Sequence, residues 1–119
     1  MDNHLKKTHR KRMEEAFAPR ERVKVGIVGV DSGQVVICDP CYIKRDPSEQ
    51  SELNDYEHLL ELRNAKKAKT LQLKFDMGHA GLGVVADTGG DGGFPVYATI
   101  DKNTGRIEKL EVEFGENAK

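Results

Sequence analysis

Gly78 to Tyr97, GHAGLGVVADTGGDGGFPVY, holds seven of the chain's twelve glycines and two aspartates four residues apart, Asp87 and Asp91. Glycine stands where the backbone takes positive φ or comes close to another group. The cluster lies between two apolar runs, so it reads either as a set of tight turns or as a surface built to accept a ligand. Leu82–Ala86 and Phe94–Ile100, on either side of the Asp87–Gly93 loop, read as strands, the second with Phe94, Val96, Ala98 and Ile100 in phase.

Downstream, residues 101–105 (DKNTG) form a hairpin loop with glycine at its left-handed position. Arg106–Phe114 is the last strand, with Leu110, Val112 and Phe114 on one face and Glu111 and Glu113 on the other. Ile107 is out of phase with that set, and a one-residue bulge near Glu108–Lys109 would return it to the core face. Upstream, Thr70–Phe75 alternates, with Leu71, Leu73 and Phe75 inward.

The first half carries the β-branched run Val23–Val30, a turn at Asp31-Ser32-Gly33, and a second strand Gln34–Cys38, together read as a hairpin. Asp39-Pro40 ends that strand, since proline lacks the donor a ladder needs. Asp46, Pro47 and Glu49 suit a helix start, and the helix runs from Pro47 to about Ala65. Leu53, Tyr56, Leu59, Leu60 and Leu62 form its apolar stripe, and Lys66, Lys67 and Lys69 crowd its negative end. The fold class is therefore mainly β within α+β: an antiparallel sheet or small sandwich of about six strands, with one packed helix.

With 119 residues the chain can bury a modest core, and with few aromatics and no tryptophan that core must be mostly Val, Ile and Leu. Residues 1–22 read as a basic arm, partly helical or disordered, and residues 23–119 as one β-rich domain. The first 24 residues carry eight Lys/Arg against four Asp/Glu, so nucleic-acid binding through residues 1–24 is one function to weigh. No aromatic is interleaved in HLKKTHRKR to stack on bases, which favours a plain solvated terminus. No apolar run has the length of a membrane span and no apolar stretch follows the basic start, so a cytoplasmic protein with no membrane partner is expected.

Several motifs fail on their chemistry. Val23–Gly33 and Gly81–Ala86 imitate a dinucleotide-binding turn, but neither opens a helix whose N–H groups could hold a pyrophosphate. Asp87, Gly89, Asp91 and Gly92 match early places of an EF-hand loop, yet glycine occupies the third place and Ala98 the twelfth. A looser divalent-cation site on Asp87 and Asp91 stays open beside their use as turn-stabilising side chains. Cys38-Asp39-Pro40-Cys41 closes a strand rather than opening a helix, which does not suit a redox pair. For zinc, only His58, His79 or scattered acids could add ligands, the histidines without a paired spacing.

Asp31-Ser32-Gly33 and Asp87-Thr88-Gly89 each follow an apolar strand, as in the paired turns of aspartic proteases, where two carboxyls share a proton. The chain is too short for the two lobes such enzymes need, and Asp-x-Gly is also a common turn. Paired-aspartate hydrolysis through Asp31 and Asp87, directly or by way of a divalent metal, is therefore the alternative to a non-enzymatic role.

Val30-Asp31-Ser32-Gly33, the Asp39 beyond the next short strand, and Gly90-Asp91-Gly92-Gly93-Phe94-Pro95-Val96-Tyr97 occur in a recognisable order. In this the chain resembles a group of small, functionally uncharacterised bacterial and phage-type domains. That group shares a V-D-x-G turn, an acid soon after it, and a G-D-G-x-[FY]-P-x-Y block before a final hairpin. The resemblance covers roughly residues 23–114, excludes the cysteine pair, and implies a mainly β fold without implying an activity.

The expectation that follows is one pocket. The V-D-S-G turn, the D-P-C-Y corner and the G-D-G loop would meet at one end, with Asp31, Asp39, Tyr42, His79, Asp91 and Tyr97 lining it. Such a pocket suits a binding or regulatory module that takes a small ligand, a cation or the basic segment of a protein partner.

Overall fold

The structure, a computed structural model, describes residues 19–43, 53 and 55–115. Six strands and a helix are built from them: β1 (Arg20–Val30), β2 (Gln34–Ile37), α1 (Tyr56–Lys66), β3 (Thr70–Lys74), β4 (Ala80–Asp87), β5 (Gly92–Asp101) and β6 (Ile107–Val112), with a 3-10 turn at Pro40–Tyr42. The strands form two three-stranded sheets, ordered β1-β5-β6 and β2-β4-β3. The mainly β, six-strand reading holds. The described residues divide into two compact units, the first made of residues 19–28 and 94–115, the second of those between 29 and 93.

In the second unit, β4 is the central strand and pairs antiparallel with both neighbours, Val85 lying opposite Val36 on one side and Leu71 on the other. Alternation sends Val85, Leu71 and Leu73 to one face. There Leu59 of α1 joins Leu73 and Val85 in a buried cluster, with Leu53, Leu71 and Leu82 packed around it. Burial of each of the three central side chains stabilises the unit by about 2 kcal/mol relative to exposure.

Helix α1 begins at Asp55, whose carboxylate accepts a hydrogen bond from His58 N at 3.1 Å. It ends at Lys67, which takes the left-handed conformation at φ 51° and ψ 41°. A start at Asp46–Pro47 lies outside the described residues. The apolar stripe is narrower than the leucine spacing implies. Leu59 is buried, but Leu60 and Tyr56 are 37% and 56% exposed, and Arg63 takes the buried position one turn beyond Leu59.

In the first unit, β5 is central and pairs antiparallel with β6, Ala98 opposite Leu110 and Val96 opposite Val112. Between Thr99↔Lys109 and Ile100↔Ile107 the register shifts and Glu108 is skipped, so Ile107 shares a face with Leu110 and Val112. The expected inward placement is corrected, since Ile107 and Leu110 on this edge strand are 58% and 61% exposed. Arg20 pairs with Glu108, and Arg22 with Glu111 and Glu113. Ascending positions on β1 thus meet ascending positions on β6 across β5, which makes β1 antiparallel to β5. Phe94 and Phe114 meet edge to face at 5.7 Å, while Ala98 and Pro95 are fully buried.

The hairpin expected from β1 and β2 does not form. The Asp31–Gly33 turn passes the chain from one sheet to the other, β1 pairing with β5 and β2 with β4. Two consecutive β-branched runs joined by a short turn satisfy local propensity either way. Here both strands find their hydrogen-bond partners on distant segments.

Candidate functional site

The Asp31-Ser32-Gly33 turn and the glycine loop do meet. Gln34 opens β2 opposite Asp87, the last residue of β4, so both turns emerge at the same end of the sheet. Thr88 N donates to Gly33 O at 3.0 Å, clasping the two turns together. Gly33 adopts φ +69°, and a methyl built on it would lie 4.0 Å from Asp91 Oδ1. Within the loop, Thr88 is buried and its hydroxyl donates to Gly90 O at 2.6 Å. The result is a glycine-walled corner with Asp31 and Asp91 both exposed to solvent.

Asp87 has a different task. Its Oδ1 accepts Gly89 N at 2.7 Å, and its Oδ2 lies 3.2 Å from Lys69 Nζ and 3.6 Å from Arg63 Nη1. The Gly89 amide first, and then the Lys69 ammonium, hold this carboxyl below the usual aspartate range. Arg63, only 4% exposed along its side chain, also donates from Nε and Nη2 to Gln34 Oε1 at 3.2 and 3.1 Å. Gln34 Nε2 in turn donates to Tyr56 O in the first turn of α1 at 2.7 Å. This chain of buried polar groups fastens the helix to the sheet end that carries the corner. The spacing of the leucines gives no sign of it. The only hints are an arginine four residues after Leu59 and a glutamine at the start of a β-branched strand.

The remaining candidates lie elsewhere. Asp39 caps the 3-10 turn, its Oδ1 accepting Cys41 N at 3.0 Å, and that amide lowers its pKa. Tyr42 meets Phe75 edge-on at 5.0 Å, and the His79 ring lies 4.8 Å from that of Phe75. His79 immediately precedes β4 and Thr88 immediately follows it, so about 20–25 Å of strand separates this aromatic group from the corner. The single pocket is therefore corrected: Asp31 and Asp91 share one end of the second sheet, while Asp39, Tyr42 and His79 gather at the other. Asp31 precedes β2 (Gln34–Ile37) and Asp39 follows it, so the strand sets them at opposite ends.

Tyr97 belongs to the first sheet, where the Arg22 guanidinium stacks 3.7 Å above its ring and bonds Glu111 at 3.1 Å and Glu113 at 2.6 Å. The Glu111 hydrogen bond raises the Arg22 pKa further, and Arg22 lowers that of Glu111. These are partly exposed pairs, screened by water and salt, so they add little to stability.

Among the described residues no group of three or more His, Cys, Asp or Glu side chains is placed to hold a metal ion. Asp87 fits a divalent cation poorly, because Lys69 and Arg63 already compensate the carboxylate that such an ion would need. Cys38 and Cys41 are both free thiols. Desolvation first, then the Asp39 contact, pushes the Cys41 thiol above its ordinary range, the reverse of an activated nucleophile. Residues 1–18 of the basic arm lie outside the described residues. No helix among the described residues is long and apolar enough to cross a membrane.

Comparison with known proteins returned no matching family, no matching curated protein and no matching solved structure.

Proposed function

We propose that this protein is a non-enzymatic binding module whose acidic, glycine-walled corner receives a positively charged group, a small cationic ligand or the basic segment of a protein partner. The observation that carries the reading is the division of labour among the acids. Asp87 is committed to Arg63, Lys69 and the Gly89 amide, whereas Asp31 and Asp91 face solvent beside a loop with little side-chain bulk. A proton-sharing pair needs two carboxyls turned to each other. Asp87 is instead engaged by the Gly89 amide, Lys69 and Arg63, which weighs against hydrolysis by Asp31 with Asp87. Two solvent-facing carboxylates on a corner without bulky walls suit an ammonium or guanidinium group, which can approach and keep much of its hydration.

Calorimetric titration with a lysine- and arginine-rich peptide, an acidic peptide of equal length, and Mg2+ or Ca2+ tests this. The basic peptide should bind, about tenfold more weakly in Asp31→Asn or Asp91→Asn and weaker again at high salt. Absence of binding, or binding indifferent to both variants, would sink the reading. A thermal shift with a divalent ion that vanishes in Asp91→Ala would favour the metal-assisted alternative.

A further inference from the structure

The β2-β4-β3 sheet ends on β3, which among the described residues pairs with β4 alone. Asp87 N donates to Lys69 O at 2.8 Å, so Lys69 and Asp87 form a hydrogen-bonded antiparallel pair. Such pairs fall on alternate residues, which assigns Leu71 and Leu73 to the ladder with Val85 and Gly83. Thr70 and Gln72 therefore turn their backbone N–H and C=O groups to the open edge. Past the register shift after Leu73, Phe75 N donates to His79 O, which turns the groups of Lys74 the same way. The Gln72 side chain does not cover the edge, since its Nε2 donates to Leu73 O and Gly83 O at 3.0 and 3.1 Å, over the ladder with β4.

A groove of about 370 Å³ runs between this edge and α1, walled by Leu62 and Lys66 on one flank of the helix and floored by residues 71–76. Leu62, Leu71 and Phe75 are half-buried in it. Lys66 and Lys74 are exposed and form no ion pair among the described residues.

We propose that this groove takes an extended, acidic segment of a protein partner, which adds to β3 as a further strand. Outward backbone groups on every second residue call for a strand, whose own donors and acceptors recur at the same interval. The aliphatic floor receives the alternate side chains of that strand beneath Leu62. Charge selects the residues between them: two lysines against Asp76 leave the groove net positive, which favours aspartate or glutamate. A second copy of this chain would bring the same lysines to the edge and meet like charge, the usual guard against self-pairing. The site is separate from the acidic corner, which selects the opposite charge.

The probe is a short capped peptide alternating valine with glutamate, titrated into the isotope-labelled full chain and followed by amide exchange. Micromolar binding is expected, with the amides of Thr70, Gln72 and Lys74 protected at least about tenfold and those of Leu71 and Leu73 little changed. N-methylation of one alternate set of peptide residues, the glutamates for antiparallel addition or the valines for parallel, should abolish binding. Gln72→Pro removes an outward donor without touching the ladder with β4 and should weaken binding at least about fivefold, while Gln72→Ala binds as the wild type. Lys74→Glu should weaken it several-fold, and Asp31→Asn, at the corner, should leave it unchanged. Should Gln72→Pro fail to give the wild-type circular dichroism, the methylated peptides carry the same test. No binding, binding that tolerates both methylated sets, or binding without protection of those three amides overturns the proposal. Protection that appears on concentrating the chain without peptide overturns it in favour of a second copy.

Discussion

At Gly83 a single methyl group would sit 2.9 Å from Ile37 O and 3.2 Å from Cys38 Cβ. Neither backbone nor a strand-anchored Cβ can move aside without breaking the β2–β4 pairing. Gly83→Ala should therefore destabilise the protein by about 2–3 kcal/mol in urea unfolding, while Gly26→Ala, with nothing within 4 Å, should be neutral or slightly stabilising. Arg63 is the other decisive residue. Arg63→Ala should cost about 3 kcal/mol in the same measurement, because it strands the Gln34 amide oxygen and removes a cation from Asp87. Asp87→Asn should cost less, with the loss largest near neutral pH and fading in acid. The spacing of the glycines is enough to mark both turns. The part played by Arg63 is not legible in the same way, because a charged residue in an amphipathic stripe reads as surface until its partners are found.

At the scale of elements, the C-terminal cap of α1 is strained. Lys67 holds a left-handed conformation that glycine adopts without cost, and its N–H closes the helix onto Asn64 O at 3.1 Å. Lys67→Gly should raise stability by up to about 1 kcal/mol, read as a higher midpoint in chemical unfolding. The β3–β4 and β5–β6 hairpins and the β6 bulge are visible in the alternation of apolar residues, since each partner lies a short turn away. The expected β1–β2 hairpin fails for the complementary reason. Local pattern reports that a segment is a strand, and only long-range pairing decides its neighbour.

For the molecule as a whole, the carboxyls with resolved shifts agree in sign. Asp39, Asp87 and Glu111 all have folded pKa values below their ordinary ones. Such groups contribute stability that is fully present above the ordinary carboxylate range, near pH 4, and is lost as pH falls through the depressed values. Arg22, shifted upward, contributes stability that persists at every pH below its ordinary range. Thermal unfolding should therefore show a flat Tm from about pH 6 to 8 and a decline below about pH 4. Asp87→Asn should make that acid decline shallower; an unchanged slope would show that the Arg63–Lys69–Asp87 group does not couple to folding.

The amino-acid order alone determined which segments are strands, that one helix packs on them through Leu59, that the second half needs glycine at its turns, and that the final strand must bulge. Each of these follows from interactions within a few residues or across one tight turn. Only the tertiary structure decided that β1 and β2 part to different sheets, that Asp31 and Asp91 share a corner while Asp39, Tyr42 and His79 lie a strand's length away, and that Asp87 serves Arg63. Those outcomes depend on hydrogen-bond partners and charge neighbours drawn from distant parts of the chain, whose choice is made by packing and leaves no periodic trace along it.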